Sequence, residues 1–555
     1  MVKNILASGK AILWRRQTNI LSAAFVIMIT VFLSRFLGLV RDRLLAGSFF
    51  GGNEWQLDVY FAAFRLPDMV FQLLVTGAMS AAFIPVFSEY LQKDPREADK
   101  IASAVINLVL AFFLVLSLLV FIFALPMCHL LAPTFSSEKI ILMSTLTRIM
   151  LLAQIFFCLS NFLTGIIQSH QRFLVPAAAP VIYNLGIIFG IIFLTPSLGI
   201  YGPTFGVVIG ALLHLLIQLP LVFKLGFIFY PFLWDFSHPG VKEVIHLMLP
   251  RTLALAISQI EATVDVFLAT SLSAGSLTIF YFAQHLMNLP VGLFGSTIGT
   301  AALPALAQNT ARKETEEFKK TFLSSFFQIF YLTLPVCAVL LVLRIPVVRL
   351  AFGAKNFPWQ ATLLTGKTLA FFSVAILAQS LIQVLIRGFY ALHNTRTPLL
   401  IGAFSVLANV LLSIYLTFGL GMGILGLALA ISLTSFFQAL FLFVFLDKAV
   451  SGFDKKSVFL PFLKMCLVAI ATLVCLWVPM RFLDKYILDT TRTINLLILT
   501  VVVSFFGSVV YLIFSYLLKI EELQMLVSLW RRIGQWRKIL SESEEMIDSA
   551  RSPQG

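Results

Sequence analysis

The stretch Ser34-Arg35-Phe36-Leu37-Gly38-Leu39-Val40-Arg41-Asp42 sets three charged side chains inside the first long apolar segment of the chain. Ser34, Arg35, Gly38, Arg41 and Asp42 fall at i, i+1, i+4, i+7 and i+8, a polar stripe along one side of a helix. Hydrocarbon does not accommodate such a stripe. It must face protein or a water-filled cavity, and charged groups at that depth mark a functional site.

Outward from this stretch the chain is almost uniformly apolar. Of 555 residues, 59% are hydrophobic and 12% charged, too little polar surface to cover a soluble globule. Fourteen apolar windows, from 20–40 to 493–518, are long enough to cross about 30 Å of hydrocarbon, so the expected fold is an all-α polytopic membrane protein of about fourteen transmembrane helices. The net charge of +14 lies mainly in alternate connections rather than one patch. That distribution argues for orientation and against nucleic acid. Positive charges total roughly 23 on the face carrying both termini against about 9 opposite, which predicts cytoplasmic termini. The first segment runs into Arg35 and Arg41 without a small-residue cleavage site and is expected to persist as a helix. The five cysteines show no metal-ligand spacing and read as small buried hydrophobes, with no metal site expected.

The chain matches itself at an offset near 220 residues. Ala63-Phe64-Arg65-Leu66 meets Ala283-Gln284-His285-Leu286, and Ala82-Phe83-Ile84-Pro85 meets Ala301-Ala302-Leu303-Pro304. The Gly165–Pro176 turn meets Gly388–Pro398, and Leu198-Gly199 meets Leu420-Gly421. Six helices per copy, an even number, put both copies in the same orientation, with substrate expected between them. The expected organisation is an N-terminal lobe over 1–228, a second lobe over 229–450, two further helices over 451–520, and a tail over 521–555. Trp530, Arg531, Arg532, Trp536, Arg537 and Lys538 suit that tail to an anionic membrane surface.

Other polar residues interrupt the apolar spans. Asp58, Arg65, Pro67, Asp68, Gly77 and Pro85 lie on the second, which prolines and glycine should bend and which reads as lining a cavity. Arg251, Ser258 and Asp265 repeat at seven-residue spacing on the seventh, with Glu261 beside them. Asp265 is either a structural residue, as half of an ion pair or as a protonated carboxyl, or a cation or proton site completed by Asn409. His285 is either cavity-lining or a satisfied core histidine. No G-x-x-x-x-G-K-[ST] loop, His-Glu metal motif or nucleophile elbow occurs, so the chain reads as a transporter, not an enzyme.

The Ser34–Asp42 run, followed by Asp58, Phe61, Phe64-Arg65-Leu66-Pro67, Gly77-Ala78, Ala82-Phe83-Ile84-Pro85 and Glu89-Tyr90, resembles the MurJ (MviN) lipid II flippase family. Leu286-Met287, Pro290, Gly292, Gly299-Thr300 and the Gly388-Phe389-Tyr390 to Thr397-Pro398 turn extend the match along essentially the whole chain. The resemblance implies a bacterial inner-membrane member of the MATE-like multidrug/oligosaccharidyl-lipid/polysaccharide exporter superfamily, moving lipid II to the periplasmic leaflet. It implies two lobes forming a V around a headgroup cavity, and a groove for the lipid tail at the added helix pair. Ser34, Arg35, Arg41, Asp42, Asp58 and Arg65 match the family's polar cavity positions. Phe71, Gln72 and Thr76, and Gln284-His285, replace charged residues of better-known members.

The expected partners are lipid II, membrane lipids and the peptidoglycan synthesis machinery, with the chain acting as a monomer. No cofactor is expected, only a coupling ion or the membrane potential. A multidrug exporter, another polyprenyl-linked oligosaccharide exporter and a non-transporting wall-synthesis scaffold are the alternatives; an Arg-rich first lobe disfavours the drug exporter and a polar cavity disfavours the scaffold. The charge distribution predicts that a cysteine at Thr315 stays protected from an impermeant thiol reagent in intact cells while one at Ile487 reacts. The opposite labelling pattern would remove the orientation argument.

Overall fold

The computed structural model describes residues 20–76, 82–354 and 356–524. Gly77 and the aromatic-basic tail from Trp530 to Lys538 lie outside them. Among the described residues the fold is helical throughout, without strands. The principal helices are α1 (Ile20–Phe49), α2 (Glu54–Thr76), α3 (Pro95–Ile122), α4 (Ser137–Ser169), α5 (Leu174–Leu198), α6 (Tyr201–Lys224) and α7 (Pro239–Thr270). They continue as α8 (Ser276–Ala311), α9 (Thr315–Val342), α10 (Trp359–Ala391), α11 (Arg396–Gly419), α12 (Ile424–Ala449), α13 (Lys455–Tyr486) and α14 (Thr493–Leu517).

Among the described residues, 12 helices are both long and apolar enough to cross a membrane, so the expected count of fourteen is supported for twelve. The other two are α1 and α7. At 30 and 32 residues they are long enough to span, but they carry Arg35, Arg41, Asp42 and Arg43, and Arg251, Glu261 and Asp265. Length and charge disagree in the helices whose sequence already pointed to function.

The chain divides into two compact units. The first runs through the described residues to His285 and adds Val348–Phe371 and Gly402–Thr434. Within it α1 packs on α5, α5 and α4 on α6, and α2 on α4. Glycines permit the α5/α6 contact: a Cβ on Gly186 would stand 2.4 Å from Gly210 Cα, and one on Gly190 2.6 Å from Gly206 Cα. The second unit contains Leu286–Val347, Phe372–Ile401 and the chain from Ser435. Its core is aromatic, with Phe318, Phe322, Phe330 and Tyr331 of α9 almost fully buried, and the Tyr511 hydroxyl of α14 donates to Tyr331 O at 2.8 Å.

Backbone irregularities recur at the offset where the sequence matches itself. Five- or six-residue π-helical segments occur at Gln72–Thr76 and Val291–Ser296, and again at Gly190–Leu194 and Tyr415–Gly419. Gln171 and His393 both adopt φ of 57°, closing equivalent turns. Each wide turn or proline frees carbonyls that hydrocarbon would leave unbonded. Pro67 cannot donate to Ala63 O, and the buried Thr147 hydroxyl of α4 donates to it instead at 3.1 Å. Thr252 of α7 donates to Leu73 O in the first π segment at 3.1 Å. Side-chain hydroxyls from neighbouring helices therefore hold the bend of α2.

Thr147→Val keeps the shape and removes that donor, and is expected to cost about 1–3 kcal/mol, the penalty of an unsatisfied buried carbonyl. In a Pro67→Ala background, where an amide donor returns, the same substitution should cost less. Chemical unfolding in detergent measures both, and equal costs in the two backgrounds would count against the bend being held this way.

Candidate functional site

The inward side of the first stripe is built around Asp42, which is nearly inaccessible. Its Oδ1 accepts from Arg41 Nε at 2.9 Å and Nη2 at 2.8 Å, and its Oδ2 pairs with His285 Nδ1 of α8 at 2.7 Å. Arg41 Nη1 reaches Asn184 Oδ1 of α5 at 3.4 Å. The Asn184 amide in turn donates to Ser34 O at 3.2 Å and Ser34 Oγ at 3.3 Å. Ser34, Arg41, Asp42 and His285 are thus one connected network. Arg35 is not part of it. At about 100° per residue Arg35 and Asp42 point nearly the same way, but His285 of α8 reaches Asp42, and Arg35, two turns earlier, is exposed beside Phe32 and Phe36.

Arg65 of α2 forms the second cation centre. Its Nε donates to Thr263 Oγ1 at 2.9 Å, and its Nη2 to Gln259 O and Oε1 at 2.7 Å, all on α7. Asp68 stands 3.9 Å from Nη1, on its more exposed side. A cavity of about 200 Å³ opens between the two centres, lined by Arg41, Arg65, Asp68, His285 and the tyrosines Tyr60, Tyr183 and Tyr281. Two guanidiniums, each already paired with protein acceptors, and three phenols, none of them nucleophile–base pairs, can bind an oxygen-rich anion and a sugar face by exchanging acceptors; they are not arranged for bond-breaking.

Asp58 stands elsewhere. Its Oδ2 accepts from Gly275 N at 2.6 Å, and its Oδ1 from Thr278 N at 2.9 Å and Thr278 Oγ1 at 2.7 Å, so the carboxylate caps the start of α8. It borders a separate cavity of about 230 Å³ with Trp55, Thr134 and Lys139. The structure thus places Asp58 apart from the Arg41 cavity, with both carboxylate oxygens held by donors from a turn more than two hundred residues away. On α7, Arg251 and Ser258 are exposed while Asp265 is buried, so their seven-residue spacing does not make one uniform face. Asn409 bonds Glu261 Oε1 at 2.9 Å rather than Asp265, and Ser413 donates to Asn409 Oδ1 at 3.2 Å. Asp265 sits one turn from Glu261 and within the electrostatic reach of Arg65.

Sequence reasoning passes over Asn184, Gln259, Thr263 and the tyrosines. Asn184 has a signal: with Tyr183 it is the polar interruption of the otherwise apolar Ala177–Leu194. Gln259 and Thr263 have one too, but they can be matched to Arg65 only once α2 and α7 are known to meet. In the second unit, an apolar cavity of about 460 Å³ is lined by α9, α10, α12 and α13, including Phe326, Phe330, Leu377, Phe436, Phe462 and Leu473.

Residues 47–497 match the family model described as lipid II flippase MurJ. The chain belongs to the MurJ family. A MurJ relative from Burkholderia cenocepacia, a lipid II flippase, is 30% identical over 452 residues, 80% of this chain and 85% of the relative. Among solved structures, a lipid II flippase MurJ in an inward closed conformation is similar, at 28% identity and a TM-score of 0.74, covering 89% of this chain and 98% of that one. An inward-facing multidrug resistance MATE family transporter shares the fold, with 15% identity and a TM-score of 0.61 over 77% of this chain and 98% of that one. The MurJ assignment makes the chain a multi-span membrane transporter, and the all-helical fold with MATE-like neighbours agrees.

If Asp58 acts by capping α8, then Asp58→Ala and Thr278→Val should each destabilise the protein and be non-additive, with a coupling of about 1 kcal/mol in a double-mutant cycle. Thermal unfolding in detergent reads the cycle; additive effects would mean the carboxylate acts independently of α8.

Proposed function

We propose that this chain carries lipid II, the undecaprenyl-pyrophosphate-linked peptidoglycan precursor, from the cytoplasmic to the periplasmic leaflet of the bacterial inner membrane by alternating access. The observation that carries the reading is the Arg41–Asp42–His285 network beside a tyrosine-lined cavity, in a chain of the MurJ family. Ser34, Arg35, Arg41, Asp42, Asp58, Arg65 and His285 are the proposed headgroup set, with Arg41 and Arg65 in direct contact and Asp58 supporting α8. Arg35, outside the network, would meet the anion on entry.

The electrostatics favour a cycle. Arg41 is balanced by Asp42, and Arg65 by neutral acceptors with Asp68 nearby. Pairing of this kind lowers the cost of holding the charges away from water while no ligand is bound. A pyrophosphate brings two negative charges and competes with the carboxylates for the guanidinium forks, which Arg presents bidentately. Moving two such charges outward gains up to about 4.6 kcal/mol across 100 mV, inside negative. The membrane potential then biases export, and Glu261, Asp265 and Asn409 are the proposed ion or proton site for the return step. The apolar cavity of the second unit suits the polyprenyl tail. In this reading the chain works as a monomer with both termini cytoplasmic and delivers its cargo to the peptidoglycan synthesis machinery.

Depletion of the protein in cells should leave lipid-linked precursor accumulating in the cytoplasmic leaflet. Arg41→Ala, at normal membrane abundance, should fail to restore export, and Arg41→Lys should restore part of it at most, because an ammonium lacks the planar fork. Export at the parental rate by the alanine variant would sink the assignment of Arg41, and unchanged leaflet distribution on depletion would sink the function.

A further inference from the structure

Between Lys224 and Asp235 lie ten residues without a charge, Leu225-Gly226-Phe227-Ile228-Phe229-Tyr230-Pro231-Phe232-Leu233-Trp234. They form no helix. Connections between transmembrane helices are ordinarily polar and solvated, so an uncharged aromatic run here calls for a partner. The run is not folded into the core: Phe232 is 84% exposed with φ of 62°, and Ile228, Phe229, Trp234 and Phe236 are also exposed.

The segment is nevertheless fixed. Asp99, Ser103 and Asn107 repeat every four residues along one face of α3 and are all buried. Ile228 N donates to Asp99 Oδ2 at 3.2 Å and Tyr230 N to Ser103 Oγ at 3.0 Å. Asn107 Nδ2 donates to Tyr230 O at 3.1 Å and to Leu233 O at 3.2 Å. Three polar side chains on a membrane helix are thereby committed to the backbone of a loop.

Their height is informative. The last charge on α3 is Lys100, and Asn107 stands seven residues further along, about 10 Å deeper at 1.5 Å per residue. Irregular backbone at such depth persists only where its polar groups are met by protein, and that is what Asp99, Ser103 and Asn107 provide. Beyond the dip the chain returns to a polar level, where Asp235 Oδ1 accepts from Ser237 N and His238 N at 3.1 Å.

We infer that residues 226–236 are a re-entrant lipid-facing loop, pinned to α3 by Asp99, Ser103 and Asn107, whose exposed aromatics seat in the glycerol and upper acyl region of the adjoining leaflet. Aromatic rings are favoured at that level. A protein partner fits less well, because the contacts that fix the loop set it below the last charged turn of α3, where a soluble surface would have to be dehydrated to follow. Seated in this way, the loop fixes the height at which α7 begins, the helix whose Gln259 and Thr263 accept from Arg65 of α2.

The test places photoreactive benzoylphenylalanine at position 232 of the full chain, in membranes from cells grown with radiolabelled phosphate. Illumination should attach label that phospholipase releases, as it should at Ile470, which is exposed on α13, and not at Lys313, in an exposed turn. Asn107→Ala should lower the lipid adduct at 232 while leaving the Ile470 adduct unchanged. A protein adduct at 232 would overturn the inference in favour of a docking surface, and no adduct would overturn it in favour of a solvated loop. Neither result would touch the proposed transport function, which the leaflet assay reads separately.

Discussion

An ionised side chain placed at the middle of a bilayer costs about 2.5–3.5 kcal/mol even on permissive insertion scales, and the arrangement of α1, α2, α7 and α8 follows from answering that cost. Asp42 is the hub. It meets Arg41 through one oxygen and His285 through the other, so neither cation nor anion is left alone in an apolar surround. Arg65 solves the same problem with neutral acceptors on α7. These bonds bring α1, α2, α5, α7 and α8 together at one level, and the tyrosine-lined cavity is the space they leave.

The same rule extends to the backbone. Thr147 donates to the carbonyl that Pro67 leaves without its amide and Thr252 to one in the π segment, while Asp99 and Ser103 accept from the amides of a loop and Asn107 donates to its carbonyls. Where water is scarce, hydroxyls and amides on apolar helices act as substitutes for it. Their scarcity in the sequence is what makes each one informative.

Much of this arrangement is legible in the amino-acid sequence. Apolar windows locate the helices because hydrocarbon thickness fixes their length, and the helices that depart from pure apolarity are those that hold charge. The Arg41–Asp42 end of the stripe is legible for the same reason. What periodicity does not supply is the partner: Arg35 and Asp42 share an angular position, yet it is Asp42 that His285 of α8 reaches, while Arg35 is exposed. From sequence Asp58 reads as a cavity residue, because a carboxylate on a bent apolar helix has that meaning by default, whereas its donors, Gly275 and Thr278, are an ordinary turn until the chain folds. Sequence also links Asn409 to α7, but to Asp265 rather than to Glu261 one turn away.

The π segments carry a consequence for how this chain can change over generations. Each wide turn holds one residue more than regular helix would need, so losing a single codon from Gln72–Thr76 could restore an unbroken helix and look harmless locally. It would be harmless farther along too, because the wide turn takes up its extra residue without turning one side of the helix against the other, and the face that holds Arg65 against Gln259 and Thr263 would keep its direction relative to the rest of α2. A one-residue loss inside a wide turn is therefore the open change of length in this helix, whereas the same loss between Asp58 and Arg65 would turn the two by about 100° relative to each other and could not keep both at their partners.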